Sequence, residues 1–423
     1  SAASDVYKRQ IQNVSGSKKV NNEFQAERTL LKLKKIKRRK IMKKVLSMLL
    51  AFVVVIALAV TMVACTPASD LTTVRIAIHR NEGASNVALG LEKGIFEKWG
   101  INLEVTQVEN GVAEMTALRA DKRTLDIGYI GAGVAWNAID GNGNGAQFVF
   151  FENLGNSEHL MARKGLFTDT NSNGTFEKEE VFAGLKGKTV YLQTGATPGN
   201  YFKSLVNWLN EGVDATDQIW IFTEASDYLA DYTAPNSTEA NKVTVVNMEN
   251  DKIPAAMATS ASEKIDVAVA YSPATKTIYT TNSDIEKIAD WSVLTGQASV
   301  GTYVASTKWL EENPEVAQNL INALYEVAIY RGASREHGQE AITAAENLCG
   351  VTAGSYNLDA TIFWSQAQYE EGFANESGQG YSYMEYLYNT SKGNVPAGNT
   401  VKSFEESFND TYLLKAIEHF KKA

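Results

Sequence analysis

From residue 73 onward the apolar positions switch repeatedly between two spacings. TVRIAIH (73–79), INLEVTQVE (101–109) and LDIGYIG (125–131) are short β-branched or apolar runs that read as strands. Between them, SNVALGLEKGIFEKWG (85–100), broken by a glycine, and GVAEMTALRADK (111–122) carry helical spacing. Strands separated by helices of this length predict a parallel sheet with crossover helices. The order then recurs. KTVYLQTG (188–195), QIWIFTEAS (218–226), NKVTVVNM (241–248) and KIDVAVAYS (264–272) read as strands, and TPGNYFKSLVNWLNEGV (197–213) and DKIPAAMATSA (251–261) as helices. Leu125-Asp126-Ile127-Gly128 in the first half is echoed by Ile265-Asp266-Val267-Ala268 in the second, so two similar α/β lobes are expected.

Residues 307–423 are mostly helical, clearest in NPEVAQNLINALYEVAIYRGA (313–333), where Pro314 marks the start. SGQGYSYMEYLYN (377–389) and SKGNVPAGNT (391–400) read as loops or irregular turns. A helical tail of this size packs back on one lobe, making the domains discontinuous. The expected division is a non-native or upstream segment (1–41), a signal peptide (42–64), a linker (65–72), lobe one (73–165), a loop insertion (166–185), lobe two (186–285), and a return to lobe one with the C-terminal helices (286–423).

Charge separates the N-terminus from the body. Of 40 Lys and Arg, 14 fall in residues 1–64 beside only Asp5, Glu23 and Glu27, which leaves 26 basic against 46 acidic residues in the rest. A body so acidic is a poor binder of nucleic acid or anionic lipid through its own surface. MKKVLSMLLAFVVVIALAVTMVAC (42–65) has charged, apolar and small-residue regions in the order of a secretory signal. Its end, MVAC (62–65), resembles the bacterial lipobox, with Met62 where leucine is usual; the resemblance implies lipidation of Cys65 and a body tethered outside the cytoplasmic membrane. The basic run before it, LKLKKIKRRK (31–40), lies in a stretch without apolar periodicity, read as upstream translation or an expression remnant. With Cys65 lipidated, Cys349 has no disulfide partner and reads as a small buried apolar residue.

The segment DTNSNGTFEKEE (169–180) places Asp169, Asn171, Asn173, the carbonyl of Thr175, Glu177 through a water, and Glu180 at positions 1, 3, 5, 7, 9 and 12, with Gly174 at position 6. That is the spacing of a calcium loop, since a hard cation needs several oxygens converging from a tight turn. A sensor would pair two such loops between helices; here EHLMARKGLF (158–167) precedes a single loop and reads as a strand. A structural Ca2+ beside the lobes is expected.

KGIFEKWGINLE (93–104) and LDIGYIG, continued by LKGKTVYLQTGATPGNYF (185–202) and KIDVAVAYSPA (264–274), resemble in order and spacing the nitrate, sulfonate and taurine group of ABC-transporter solute-binding proteins. The resemblance implies an α/β fold of the periplasmic-binding-protein type II class: a two-lobe clamp, each lobe a mixed sheet flanked by helices. Its implied function is to capture a small solute between the lobes and deliver it to a permease and its ATPase, as a monomer. The same clamp also suits a non-transport surface lipoprotein or a sensor subunit.

Ligands of parallel sheets sit at the carboxyl ends of the strands. Four loops qualify: HRNEGASN with His79, Asn81 and Glu82; IGAG with Gly131, Ala132 and Gly133; QTGATPGN with Thr194, Gly195, Ala196 and Thr197, where Thr197 reads as an N-cap and Pro198 as the first helical residue; and AYSPA with Tyr271. Helix N-termini at two of these loops favour an anion, whereas Glu82, Glu152 and Glu224 near loop ends would suit an amine, and Arg80 an acid. The solute's charge stays open on the sequence. An enzyme is disfavoured. A relative of this fold makes the thiamine pyrimidine with a cysteine-rich motif, but the cysteines here are Cys65 and Cys349. Histidines 79, 159, 337 and 419 lack metal-ligand spacing, and no nucleophile elbow, Walker loop or dinucleotide fingerprint appears.

Overall fold

The computed structural model describes residues 71–139, 145–224, 238–258, 264–294, 298–391 and 402–422. The signal segment and Cys65 lie outside the described residues, as does most of 391–400. Among the described residues no helix is long and apolar enough to cross a membrane.

Two six-stranded sheets form, as the doubled strand pattern predicts. In the first, β1 (Thr72–Ile78) pairs in parallel with β2 (Ile101–Gln107) and β3 (Ile127–Gly131). The sheet then continues antiparallel through β11 (Ser299–Ser306), β4 (Ala146–Gly155) and β12 (Thr361–Phe363). In the second sheet β6 (Thr189–Leu192), β7 (Trp220–Thr223), β8 (Lys242–Asn247) and β9 (Val267–Ala270) are parallel in the order 7-8-6-9. Antiparallel β5 (His159–Arg163) and β10 (Ile285–Asp290) complete it. Strands covered on both faces should lack polar alternation. Accordingly β9, Val-Ala-Val-Ala, is buried at every position.

β5 and β10 move the expected lobe boundaries. Both pair within the second sheet, so the chain leaves lobe one between Gly155 and His159 rather than at 165, and returns between Asp290 and Ser299 rather than at 286. Their register is fixed by burial: Leu160, Met161 and Ala162 of β5 are fully buried against the lobe-two core.

The glycine break read at 93–94 separates helix Ser85–Glu92 from the short helix Ile95–Lys98, because Gly94 takes φ +65°, a left-handed conformation that costs glycine little. Helices Pro314–Gly332, Arg335–Cys349 and Thr411–Lys421 add their apolar faces to the lobe-one core. Cys349 is buried there as a free thiol.

Residues 377–389, read as loop, instead enter a helix, Gln379–Ser391. Tyr381, Met384 and Leu387 fall three residues apart and all bury in the same core, Tyr381 against Phe373 at 5.2 Å between ring centroids. Tertiary packing outweighs the local glycine and serine content.

One buried ion pair ties this assembly together. Arg331 Nη1 donates to Glu152 Oε1 at 2.7 Å and to Ser85 Oγ at 2.7 Å, with both charged side chains wholly buried. Thus Glu152, offered by the sequence as a candidate amine partner, is answered by a guanidinium inside lobe one.

Candidate functional site

The carboxyl ends of β1, β3 and β9 and the loop after β6 converge on one cavity of about 70 Å³ between the lobes. At the 10–15 Å³ that one water demands, this is room for roughly five water-sized positions, hence for a small solute. His79, Asn81 and Glu82 line it from the β1 loop, Gly131 from β3, Ala196 and Thr197 from lobe two, and Tyr271 from the end of β9. Ala132, Gly133, Thr194 and Gly195 do not line it. Ala132 and Gly133 form the first turn of helix Ala132–Ala138 behind Gly131, and the Thr194 N–H is tied to Asn247 Oδ1 at 3.1 Å, at the end of β8.

Local folding explains these placements. Asn81 accepts from Gly83 N–H at 3.0 Å and caps the short 3-10 turn Glu82–Ala84, fixing Glu82 at the cavity wall. Helix Thr197–Asn210 begins one residue earlier than read, with Ala196 extended at the cap and giving no side-chain bond. The Thr197 hydroxyl is turned instead to Glu158. Asn250 holds Tyr271 by two bonds, accepting from the Tyr271 N–H at 3.0 Å and donating to its carbonyl at 3.3 Å.

The lobes touch through small groups. A Cβ added at Gly131 would stand 2.5 Å from Thr197 Cγ2, and one at Gly133 would stand 3.0 Å from Asn200 Nδ2. Glu82 accepts across the gap from the Ser272 hydroxyl and also from Asn357 N–H at 2.7 Å. Lys276 donates to the carbonyl of Tyr356 at 2.9 Å. The structure is therefore that of a closed clamp.

Several site residues carry no signal in the sequence reading. Glu158, in the crossing between β4 and β5, lines the cavity and accepts from Trp291 Nε1 at 2.8 Å. Tyr129 is central to β3; its hydroxyl donates to Asn153 Oδ1 at 3.3 Å and its ring meets His79 edge-on. The alternation of LDIGYIG could have pointed to Tyr129, whereas Glu158 opens EHLMARKGLF, a strand whose place beside the cavity no local pattern indicates. Behind the wall, His79 Nε2 and Glu114 Oε2 stand 2.7 Å apart, with Glu114 wholly buried.

Burial pushes the carboxyls of Glu82 and Glu158 above the ordinary range, opposed by the hydrogen bonds from Ser272 and Asn357 to the first and from Thr197 and Trp291 to the second. Tyr271 is also raised, by burial first and then by the charges of Glu158, Asp251 and Glu82. Arg80 and Glu224 are exposed and outside this lining.

The loop 169–180 folds away from the cavity. Asp169 Oδ2 accepts from Gly174 N–H at 2.8 Å, Asn171 Oδ1 from Asn173 N–H at 3.0 Å, and Gly174 takes φ +79° at the turn. Glu180 accepts from Thr170 N–H at 2.6 Å and Glu177 N–H at 2.8 Å, closing a capping box on helix Lys178–Leu185. The donor atoms that this loop can present are all oxygens, which suits a hard cation.

No family model matches the chain. A protein of Brucella abortus whose name claims no more than a binding role is 26% identical over 290 residues, spanning 68% of this chain and 76% of that protein. Solved structures share the fold. The periplasmic nitrate-binding protein of Synechocystis superposes with a TM-score of 0.56 at 13% identity, covering 84% of this chain and 90% of its own. A periplasmic sulfonate-binding protein of Methylobacillus flagellatus gives 0.54 at 16%, covering 84% and 96%. The ligand-binding component of an ABC-type import system from Staphylococcus aureus gives 0.52 at 14%, covering 82% and 99%. The fold is thus the periplasmic-binding-protein type expected from the sequence, two mixed sheets flanked by helices with a helical C-terminal region.

Proposed function

We propose that this chain is the extracytoplasmic solute-binding component of an ABC importer. It captures a small solute between its lobes and presents the closed clamp to a permease and its ATPase. The observation that carries this reading is the cavity between the lobes, lined from both sheets at their strand ends and sealed by contacts as close as Gly131 to Thr197. A ligand touching both lobes favours closure by its differential affinity, so binding and closing form one equilibrium. The nitrate- and sulfonate-binding proteins that share the fold support the transport reading. No hydrolytic or redox constellation is needed for such a role. A thermal-shift screen of small metabolites against the full chain tests it: at a hundredfold excess over Kd the cognate solute should stabilise the fold by about 2.7 kcal/mol. A screen in which no small solute shifts the transition would contradict it.

The tether belongs to the same reading. MVAC after an uncharged apolar run supports lipidation at Cys65, with the body on the outer face of a bacterial cytoplasmic membrane. Membrane fractionation of Cys65→Ser checks this: loss of the lipid adduct and release of the body are expected, whereas unchanged processing and retention would contradict it.

Calcium is the third part. Asp169, Asn171, Asn173, the Thr175 carbonyl and Glu180 would hold the ion, which would supply a fixed positive centre stiffening the surface loop ahead of helix Lys178–Leu185. The positive φ of Gly174 and the oxygen-only donor set support the assignment.

A further inference from the structure

Among the described residues the buried carboxylates are met in different ways: Asp290 and Glu114 by Lys287 and His79, and Glu180 and Glu346, away from the cavity, by backbone N–H groups. Asp126 is answered by Arg75 at 2.7 Å and Arg123 at 3.1 Å, and Glu152 by Arg331 at 2.7 Å. Glu82 and Glu158, both at the cavity, have no such answer. Glu82 is met by a hydroxyl and a backbone N–H, Glu158 by the Trp291 indole N–H and the Thr197 hydroxyl. Among the described residues no Lys or Arg lines the cavity, and its one basic side chain, His79, is engaged through Nε2 by Glu114.

Two carboxyls buried without a counter-charge are costly unless something else supplies one. Both carboxyls line the same cavity, and Glu158 adds a minor part to the upward push that burial exerts on Glu82. The rest of the wall is glycine, small polar and aliphatic groups together with two aromatic rings, Tyr129 of lobe one and Tyr271 of lobe two, and ring faces attract cations. Among the described residues no three His, Cys, Asp or Glu side chains converge to hold a metal ion. An oxyanion, by contrast, would enter a cavity lined by acidic side chains and, among the described residues, by no Lys or Arg.

Resting on the solute-binding reading above, we infer that the cleft takes a small organic cation or amine, its N–H groups donating to Glu82 and Glu158 and its body lying against Tyr129 and Tyr271.

Isothermal titration of the full chain in detergent with two matched probe sets tests this. Ethanolamine, choline, benzylamine and 4-aminopyrimidine form one; nitrate, ethanesulfonate and benzoate form the other. At least one amine should bind, with Glu158→Gln and Glu82→Gln each weakening it tenfold or more. Neither variant should lower the ligand-free melting temperature, because each removes a buried charge without removing volume.

The pH profile separates a cation from an anion held by protonated carboxyls. The ionisable side chains at or behind this wall are Glu82, Glu158, His79, Glu114, Tyr129 and Tyr271. Amine binding weakens as pH falls through the raised carboxyl values, and the Gln variants flatten that slope. Tighter binding of an oxyanion than of any amine overturns the inference and leaves the clamp reading intact. Binding of neither set also overturns it. The clamp reading is then decided separately by native mass spectrometry of the chain in a whole metabolite extract, where retention of no small solute contradicts it.

Discussion

Gly131→Ala is a perturbation aimed at closure alone. Gly131 has φ −66° and ψ 126°, which any residue adopts, so alanine brings no backbone strain and by itself adds about 0.4–1 kcal/mol of stability through the unfolded chain. The atom its Cβ would meet is Thr197 Cγ2 in the opposite lobe, at 2.5 Å. Ordinary carbon contacts lie at about 3.5–4.0 Å, so the lobes must part by roughly 1 Å or more. Overpacking of this kind costs about 1–3 kcal/mol. Charged to the closed state only, that is roughly a 5- to 150-fold loss of solute affinity. Thr197→Ser keeps the hydroxyl and removes the methyl, so the double variant should recover most of the loss. The assay is titration of the solute found by screening, paired with thermal melts of the ligand-free chain. A lowered ligand-free melting temperature with unchanged affinity would refute the reasoning, as would a double variant no better than Gly131→Ala.

Arg331→Met should destabilise lobe one by about 3–5 kcal/mol, since it leaves Glu152 buried and unpaired; urea denaturation should show the midpoint recovering when Glu152→Gln is added. Adding EDTA, or replacing Asp169 by Ala, should lower the melting temperature, and excess calcium should restore only the unsubstituted chain; no change on chelation would contradict the assigned ion. His159 is pushed down from 6.5 to about 4, by burial first, so the folded chain holds it neutral. Its contribution is therefore present above about pH 6.5 and is lost as pH falls towards 4. His159→Phe should accordingly flatten the stability profile between those values, and an unchanged slope would show that other groups set it.

Much of the fold is legible in the chain because period and burial agree there. Ile76, Ile78, Ile127 and Val267 sit in short β-branched or apolar runs bounded by glycine or polar loops, and each becomes a buried strand position. Legibility fails where a long-range partner decides. Met384 and Leu387 look like loop residues until the lobe-one core gives the helix a surface to cover. β5 and β10 join lobe two because each finds an antiparallel neighbour more than a hundred residues away, which no local pattern encodes.

The site divides in the same way. His79, Glu82, Gly131, Thr197 and Tyr271 follow strands or open helices, so the rule of carboxyl ends finds them. Glu158 lies in the crossing just ahead of β5, where the distant pairing of β5 into the lobe-two sheet brings it beside Thr197 and Trp291. Thr194 and Gly133 illustrate the opposite error: small residues after a strand that serve the turn or the lobe contact rather than the wall.

The central claim, that two lobes close on a solute, is tested most directly by small-angle scattering from the full chain with and without the solute recovered from screening. Compaction on binding, shifted by Gly131→Ala to roughly 5- to 150-fold higher solute concentration and restored by adding Thr197→Ser, is the predicted result. A radius of gyration unchanged at saturating solute would contradict it.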